Sequence, residues 1–377
     1  MSLPRGQSCP GGELLYRLFE VAPSPSTTVI VHCAGRTRSI IGTQSLVNVR
    51  VANKVLALEN GTIGWTLSGF ELDKGKLERA KAPSAQAVEK ARKHAGEWAK
   101  HVGVQFIGID ELKQFISESE ATRTLYLLDV RDPQEYAEGH PEGFTSAPGG
   151  QLVQATDEWV GVRGARLVLY DNDGVRASIT ASWLVQLGWD VYVLKEGVSV
   201  PAGLPKAKEP TFTIPTSGAI SVEDLETLSN AAIVDVARSP VYSKGHVPGS
   251  WFASGPELLR DLKSLPGSGP IVITSPDGNV AATQAEKVRA DLKVFSHDVF
   301  YLRGGTAAWK AKGRPLETES RWLSEPIDVY KRPYEGTDNA QKAMQGYIDW
   351  EHGLVAQLAN DGVSGFHVVR DMSVSVV

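Results

Sequence analysis

Cysteine is scarce in this chain, with two residues, Cys9 and Cys33, in 377. Cys33 has surroundings suited to chemistry. It follows the apolar run at 29–31 and opens the stretch Cys33-Ala34-Gly35-Arg36-Thr37-Arg38-Ser39, after which residues 40–49 read as a helix. A nucleophile at a strand end, facing a helix N-terminus, lies where unpaired backbone N–H groups and the helix dipole favour negative charge. Arg36 and Arg38 add two positive charges and the loop holds no acid, which is expected to stabilise a thiolate. Gly35 permits a tight curl that turns amides inward, and the same loop would take an anionic substrate. The expected nucleophile is therefore Cys33, with Ala34, Gly35, Arg36, Thr37, Arg38 and Ser39 as the substrate-binding segment. A free cysteine is often just a small buried hydrophobe, but a charged, glycine-containing loop is a poor setting for that role.

The elements that position this loop recur along the chain. Residues 125–143 read LYLLDVRDPQEYAEGHPEG and residues 231–249 read AAIVDVARSPVYSKGHVPG. Both hold Asp-Val, then Tyr, then Gly-His-x-x-Gly, with ten positions from Asp129 to Gly139 and ten from Asp235 to Gly245. A second block follows, SAPGGQLV at 146–153 and ASGPELL at 253–259. The third is an apolar strand ending in a polar loop, RLVLYDNDGVRAS at 166–178 and PIVITSPDGNVAA at 270–282. The fourth is VYVLKEG at 191–197 and VFYLRGG at 299–305. The first 70 residues carry the last three blocks as SCPGGELL, TVIVHCAGRTRS and VLALENG, and the 24 positions from Cys9 to Cys33 equal the 24 from Ala147 to Asp171. The chain thus holds three copies of one unit.

The first copy lacks about 34 residues at its start, including the Asp-Val strand. Losing a strand leaves a parallel sheet with exposed apolar surface and an unpaired edge. The expectation is a chain that is a fragment of a longer protein; residues 365–369 are a weaker candidate to complete the sheet. Short β-rich runs alternating with helical segments at 177–187 and 281–292 predict an α/β layered fold. The expected divisions are an incomplete domain at 1–72 carrying the cysteine loop, a linker helix within 73–103 starting near Pro83-Ser84, domains at 104–204 and 216–316, a Pro/Lys-rich linker at 205–215, and a C-terminal extension at 317–377. In the extension, 321–338 reads as loop and 339–358 as an amphipathic helix ended by Asp361-Gly362.

These motifs resemble the rhodanese family of sulfurtransferases: the Asp129-Val130-Arg131 strand end, Gly-His-x-x-Gly, the strand-end Cys-x-x-x-x-Arg-Ser loop and a Gly-Thr-x-x-Trp ending. The resemblance covers about four fifths of the chain. It implies tandem domains, each a mainly parallel five-stranded sheet with helices on both faces. It also implies ping-pong transfer of a sulfane sulfur from thiosulfate or a similar donor, through a Cys33 persulfide, to a thiol, a cyanide-like acceptor or an acceptor protein. Arg36 and Arg38 would meet the donor's sulfonate. Copies two and three depart at the centre, with Asp171 and Ser275 in the cysteine position. Neither forms a persulfide, and both loops carry net negative charge, so both are expected to be inactive.

Two other readings stand beside this one. Related cysteine phosphatases and arsenate reductases share the fold but carry Cys-x5-Arg. Here four residues separate Cys33 from Arg38, and Ser39 stands where that arginine would fall. Two degenerate copies also fit a scaffold or sulfur-carrier adaptor. Cys9 is expected to be incidental, since its counterparts are Ala147 and Ala253. His32 reads as packing, since Tyr170 and Thr274 replace it. His140 and His246 are expected to be structural. Asp129, Arg131 and Asp235 are expected to anchor the sheet by hydrogen bonds. The eight histidines show no metal-ligand spacing, so no metal or cofactor is expected. Net charge is −5, which offers no case for nucleic acid or an anionic membrane. No apolar run approaches the roughly 18–20 residues of a membrane span, and residues 1–12 lack the apolar segment of a signal peptide. The expected compartment is the cytoplasm.

Overall fold

A computed structural model describes residues 2–76, 78–119, 123–195, 200, 213–291, 298–329 and 339–369. It divides into two compact units, Met1–Lys208 with Pro333–Val377, and Glu209–Arg332. Most of the expected 205–215 linker, Gly197 of the fourth block, Leu292, and 330–338 of the expected loop lie outside the described residues.

In the first unit, copy one supplies α1 (Leu14–Val21), β1 (Val29–Val31), α2 (Thr37–Asn48), β2 (Val55–Ala57) and α3 (Gly61–Leu67). β1 and β2 pair in parallel, Ile30 opposite Leu56, and the described residues give them no third strand. Ile30 and Leu56 are about half exposed, the apolar surface expected of a sheet short of a strand. Residues 365–369 do not fill that edge. The amides of His367 and Val369 instead bond the carbonyl and Oε1 of Gln186, at 2.9 and 3.0 Å.

The helix expected as a linker, α4 (Ala85–Val102), is a core element. Ser84 caps it by accepting the Ala87 N–H. Its buried face, Ala87, Ala91, Ala95, Trp98, Ala99 and Val102, recurs at three- and four-residue spacing. That face packs against α1 and, in copy two, against α8 (Arg176–Gln186), where Trp98 Nε1 donates to Ser182 Oγ at 3.2 Å. Copies one and two therefore meet in a shared core cluster around α4, beside the cores that copy two has of its own.

Copy two runs β3 (Gln105–Ile107), α5 (Ile109–Ser119), β4 (Leu125–Asp129), α6 (Pro133–Glu138), β5 (Thr145–Ser146), α7 (Gly149–Gln154), β6 (Arg166–Tyr170), α8 and β7 (Asp190–Leu194). Its parallel sheet has the order β3-β7-β6-β4-β5. Alternate residues of the central strands feed two cores. Leu128, Leu167, Leu169, Val191 and Val193 meet α7 and α8 on one face; Leu127, Val168 and Leu194 meet Leu112 and Phe144 on the other. Burial on both faces explains why these strands read as continuous apolar runs. The Gly-Gly pairs of the second blocks meet each other: a Cβ on Gly12 would lie 2.8 Å from the Gly150 nitrogen, and one on Gly150 2.7 Å from the Gly12 nitrogen. Two backbones approach there as no side chain would allow.

The second unit repeats the plan with β8 (Ala219–Ile220), α9 (Val222–Thr227), β9 (Ala232–Asp235), α10 (Ser239–Tyr242), β10 (Trp251–Phe252), α11 (Leu258–Asp261), β11 (Ile271–Thr274), α12 (Asn279–Ala290), β12 (Val299–Leu302) and α13 (Gly305–Ala311). The order β10-β9-β11-β12-β8 is that of copy two, strand for strand, and every pair is parallel. Beyond Pro315 the chain is tied to the sheet edge rather than loose. Phe252 donates to the Arg321 carbonyl and accepts from the Leu323 N–H, while Trp322 packs on Tyr242 and Phe252.

The extension's helix is α14 (Ala340–Asp361), capped by Asn339 and ended by Gly362 at φ +65°. It belongs to the first unit, where Met344 and Ile348 bury against Ile63 of α3. No described helix is long and apolar enough to cross a membrane.

Candidate active site

Cys33 lies two residues beyond β1, in the loop that leads into the twelve-residue α2. Its Sγ is 3.4 Å from Ser39 Oγ, and Ser39, buried, donates to the Arg36 carbonyl at 2.9 Å. The outer side of the loop is held by α3: Thr62 and Ile63 donate their N–H groups to the carbonyls of Cys33 and Ala34, both at 2.9 Å. That approach needs Gly61. It sits at φ +55°, and a Cβ there would lie 2.3 Å from the Cys33 oxygen and 2.6 Å from the Gly35 oxygen.

With the carbonyls turned outward, the amides are left over. Among the described residues, no acceptor bonds the backbone N–H of Ala34, Gly35, Arg36, Thr37, Arg38 or Ser39. These donors stand at the start of α2 beside a thiol, where an anion is favoured by unpaired N–H groups and helix dipole together.

The predicted segment divides. Arg38 is exposed and has no ion pair or hydrogen bond among the described residues. Arg36 is held sideways, its Nη1 3.4 Å from Asn60 Oδ1 and 3.1 Å from His352 Nε2. Thr37 Oγ1 donates to Glu351 Oε1 at 2.8 Å, and Tyr347 OH donates to the same oxygen at 3.1 Å. Gly35 faces the Tyr347 ring and Glu351 Oε2, which has no partner among the described residues although it is buried. Tyr347, Glu351 and His352 all come from α14, over 300 residues downstream. No local pattern ties them to the loop; the sequence predicts only an amphipathic helix over 339–358.

The counterpart loops are filled from within. In copy two, Asp171 Oδ1 accepts from Gly174 N–H at 3.0 Å and Oδ2 from Ala177 N–H at 2.8 Å. Asp173 Oδ1 takes the N–H groups of Val175 and Arg176, at 2.8 and 3.1 Å. Burial pushes the Asp171 carboxyl above its ordinary range, and the neighbouring Asp173 charge adds to the effect. Arg176, at the position of Arg38, is fully buried. It pairs with Asp173 at 2.7 Å, with Glu13 of copy one at 2.8 Å and with Glu135, and lies over the Tyr16 ring. In copy three, Ser275 Oγ accepts from Ala281 N–H at 3.2 Å and Asp277 from Asn279 N–H at 3.0 Å.

The remaining candidates fall into structural roles. Burial pushes the Cys9 thiol up to about 12, with Glu13 adding to the shift, so Cys9 stays protonated. Burial lowers His32. His140 and His246 stack on Tyr136 and Tyr242, ring centroids 3.7 and 3.9 Å apart, and bond those tyrosines' carbonyls through Nδ1. Arg131 closes a fork on Asp129 beneath the copy-two sheet end.

Comparison with known proteins agrees with this architecture. A family model for the rhodanese-like domain matches residues 109–200 and 221–312. The chain is similar to the crystal structure of a thiosulfate sulfurtransferase from Pseudomonas aeruginosa, with 46% identity and a TM-score of 0.87 over 98% of this chain and 70% of that one. Single-domain matches include the rhodanese-like domain of an Anabaena protein, at 25% identity, 31% of this chain, 92% of that one and TM-score 0.24. A rhodanese-like domain protein from Staphylococcus aureus matches at 23% identity, 27% of this chain, 98% of that one and TM-score 0.23. A search of curated proteins returned no match. With repeated five-stranded parallel sheets of one strand order, two matches to the family model and 46% identity to the Pseudomonas enzyme over 98% of this chain, the chain belongs to the rhodanese family of sulfurtransferases.

Proposed function

We propose that the chain transfers a sulfane sulfur from thiosulfate, or a donor of similar charge, through a persulfide on Cys33. The observation that carries this reading is the set of unpaired amides at residues 34–39 around the one cysteine that stands in a catalytic position. The Cys33 thiolate attacks the outer sulfur of the donor. The donor's S–S bond breaks, and sulfite leaves with its electron pair. The persulfide left on Cys33 is anionic at its outer sulfur, where the loop amides and the N-terminus of α2 offset the charge. A thiolate or cyanide then attacks that outer sulfur, and the Cys33 thiolate departs as leaving group. Arg38, exposed and unpaired among the described residues, meets the donor's sulfonate. Arg36 adds charge from the side while held by Asn60 and His352.

Copies two and three do no sulfur chemistry in this reading, because Asp171 and Ser275 occupy their own loop amides. The test is sulfur transfer from thiosulfate and from 3-mercaptopyruvate to cyanide, with Cys33→Ala as control. Activity is expected to vanish in Cys33→Ala, and donor treatment without acceptor should add one sulfur to the peptide holding Cys33. Undiminished activity in Cys33→Ala would overturn the proposal. Cys33-dependent hydrolysis of an aryl phosphate without sulfur transfer would replace it with phosphatase chemistry.

A further inference from the structure

The second unit holds a cavity of about 330 Å³ at the C-terminal edge of its sheet, lined by Asp235, Ala237, Tyr242, Gly245, Thr306 and Lys310 among others. Ligands of open parallel sheets bind at this edge, and the volume suits a small molecule. The internal repeat shows what the cavity lacks. Asp235, Ala237 and Gly245 are the counterparts of Asp129, Arg131 and Gly139. In copy two the Arg131 guanidinium fills this place: its Nε is 2.9 Å from Asp129 Oδ1, and its Nη2 is 2.6 Å from Asp129 Oδ2 and 2.7 Å from the Gly139 carbonyl.

In copy three the arginine is an alanine, while the groups that would receive a guanidinium remain. Asp235 is 1% exposed and accepts one hydrogen bond, from Ala237 N–H at 2.8 Å. Among the described residues it makes no ion pair, and no donor reaches the Gly245 carbonyl. Thr306 Oγ1, also on the lining, is buried without a partner among the described residues. A buried carboxyl without an ion pair is costly, and burial pushes Asp235 up to about 6 against the opposing pull of the Ala237 N–H and His246. Val241, Pro276 and Ala307 supply apolar wall for an alkyl stem, and the exposed Lys310 stands on the lining, where it favours a ligand with an anionic far end.

We propose that this cavity binds the guanidinium group of a small arginine-like ligand, which takes up on Asp235 and the Gly245 carbonyl the place that Arg131 fills in copy two. The cavity lies in the second unit and Cys33 in the first.

Isothermal titration of the full chain with L-arginine tests this, with L-citrulline as the neutral counterpart of the same shape. L-Arginine is expected to bind at one site, and citrulline about tenfold more weakly or worse, as befits loss of a charge-assisted fork. Asp235→Asn should abolish binding. Ala237→Arg should abolish it too, by supplying the guanidinium from within, and a retained circular dichroism spectrum checks that this variant folds. Cys33→Ala should bind arginine like wild type. No binding of L-arginine, equal binding of citrulline, or unchanged binding in Ala237→Arg would overturn the proposal. Nα-acetyl-L-arginine amide separates two sources of the same group: tighter binding than the free amino acid points to an arginine side chain of a polypeptide, and weaker binding to free arginine.

Discussion

The Cys33 loop and the Asp171 loop have the same position in the repeat and opposite states. Each follows a parallel strand and opens a helix of eleven or twelve residues. Around Cys33 the amides have no acceptor among the described residues; around Asp171 two carboxylates take four of them. The arginine five positions on is exposed in the first loop. In the second it is buried among Asp173, Glu13 and Glu135. On the proposed reading, the loop that would receive an anion is in copy two occupied by its own carboxylates, and those charges pair copy one to copy two through Glu13 and Arg176.

The strongest way to break this comparison is to remove the buried charge. Arg176→Met leaves Asp173 and Glu135 without their ion-pair partner and Glu13 with Arg17 alone, and should cost the first unit about 3–5 kcal/mol, read by denaturant unfolding. A loss under about 1 kcal/mol would mean that the cluster is not holding the copies together. Next in size is Gly61→Ala. A Cβ there collides with the carbonyls of Cys33 and Gly35 and shifts the loop, so kcat/KM for thiosulfate should fall by about a hundredfold with the fold retained.

A pH experiment sharpens the contrast between copies two and three. Asp235 titrates near 6 in the fold against 3.8 for the ordinary carboxyl, so the folded second unit keeps a proton that the unfolded chain has released. Its contribution is full below about pH 4, declines as pH rises to about 6 and is then lost, an effect of about 3 kcal/mol. Asp235→Asn should flatten that decline, and an unchanged slope would assign it elsewhere. The smallest expected effect is Asp171→Cys. It should restore no sulfur transfer, because Asp173 still occupies its amides and Arg176 stays buried. It should cost about 1–3 kcal/mol, from N–H groups that lose their acceptors. A persulfide on the introduced thiol of that variant, found by mass spectrometry after thiosulfate treatment, would show that the cysteine alone makes the site.

Much of this was legible in the residues. The spacing of Asp129 to Gly139 and Asp235 to Gly245 and the apolar runs located the sheets and the repeat, because parallel strands buried on both faces leave a continuous apolar signature, and the strand-end cysteine marked the candidate nucleophile. The degenerate loops were also readable, since Asp and Ser cannot be sulfur nucleophiles of this kind. The role of α4 was not: a charged, alanine-rich helix looks like a linker until its alanine face is seen to meet α1 and α8. Nor could the sequence show that Arg36 is drawn toward α14 rather than left free for substrate.

What the sequence by itself determined, then, is local chemistry and its repetition: which strand ends carry a thiol, which carry a carboxylate, and where an arginine has become alanine. The tertiary structure alone decided who meets whom over long separations. Glu13 reaches Arg176, Glu351 reaches Thr37, and Asp235 is left facing a cavity, because those contacts depend on how helices pack across the sheet and leave no periodic trace along the chain.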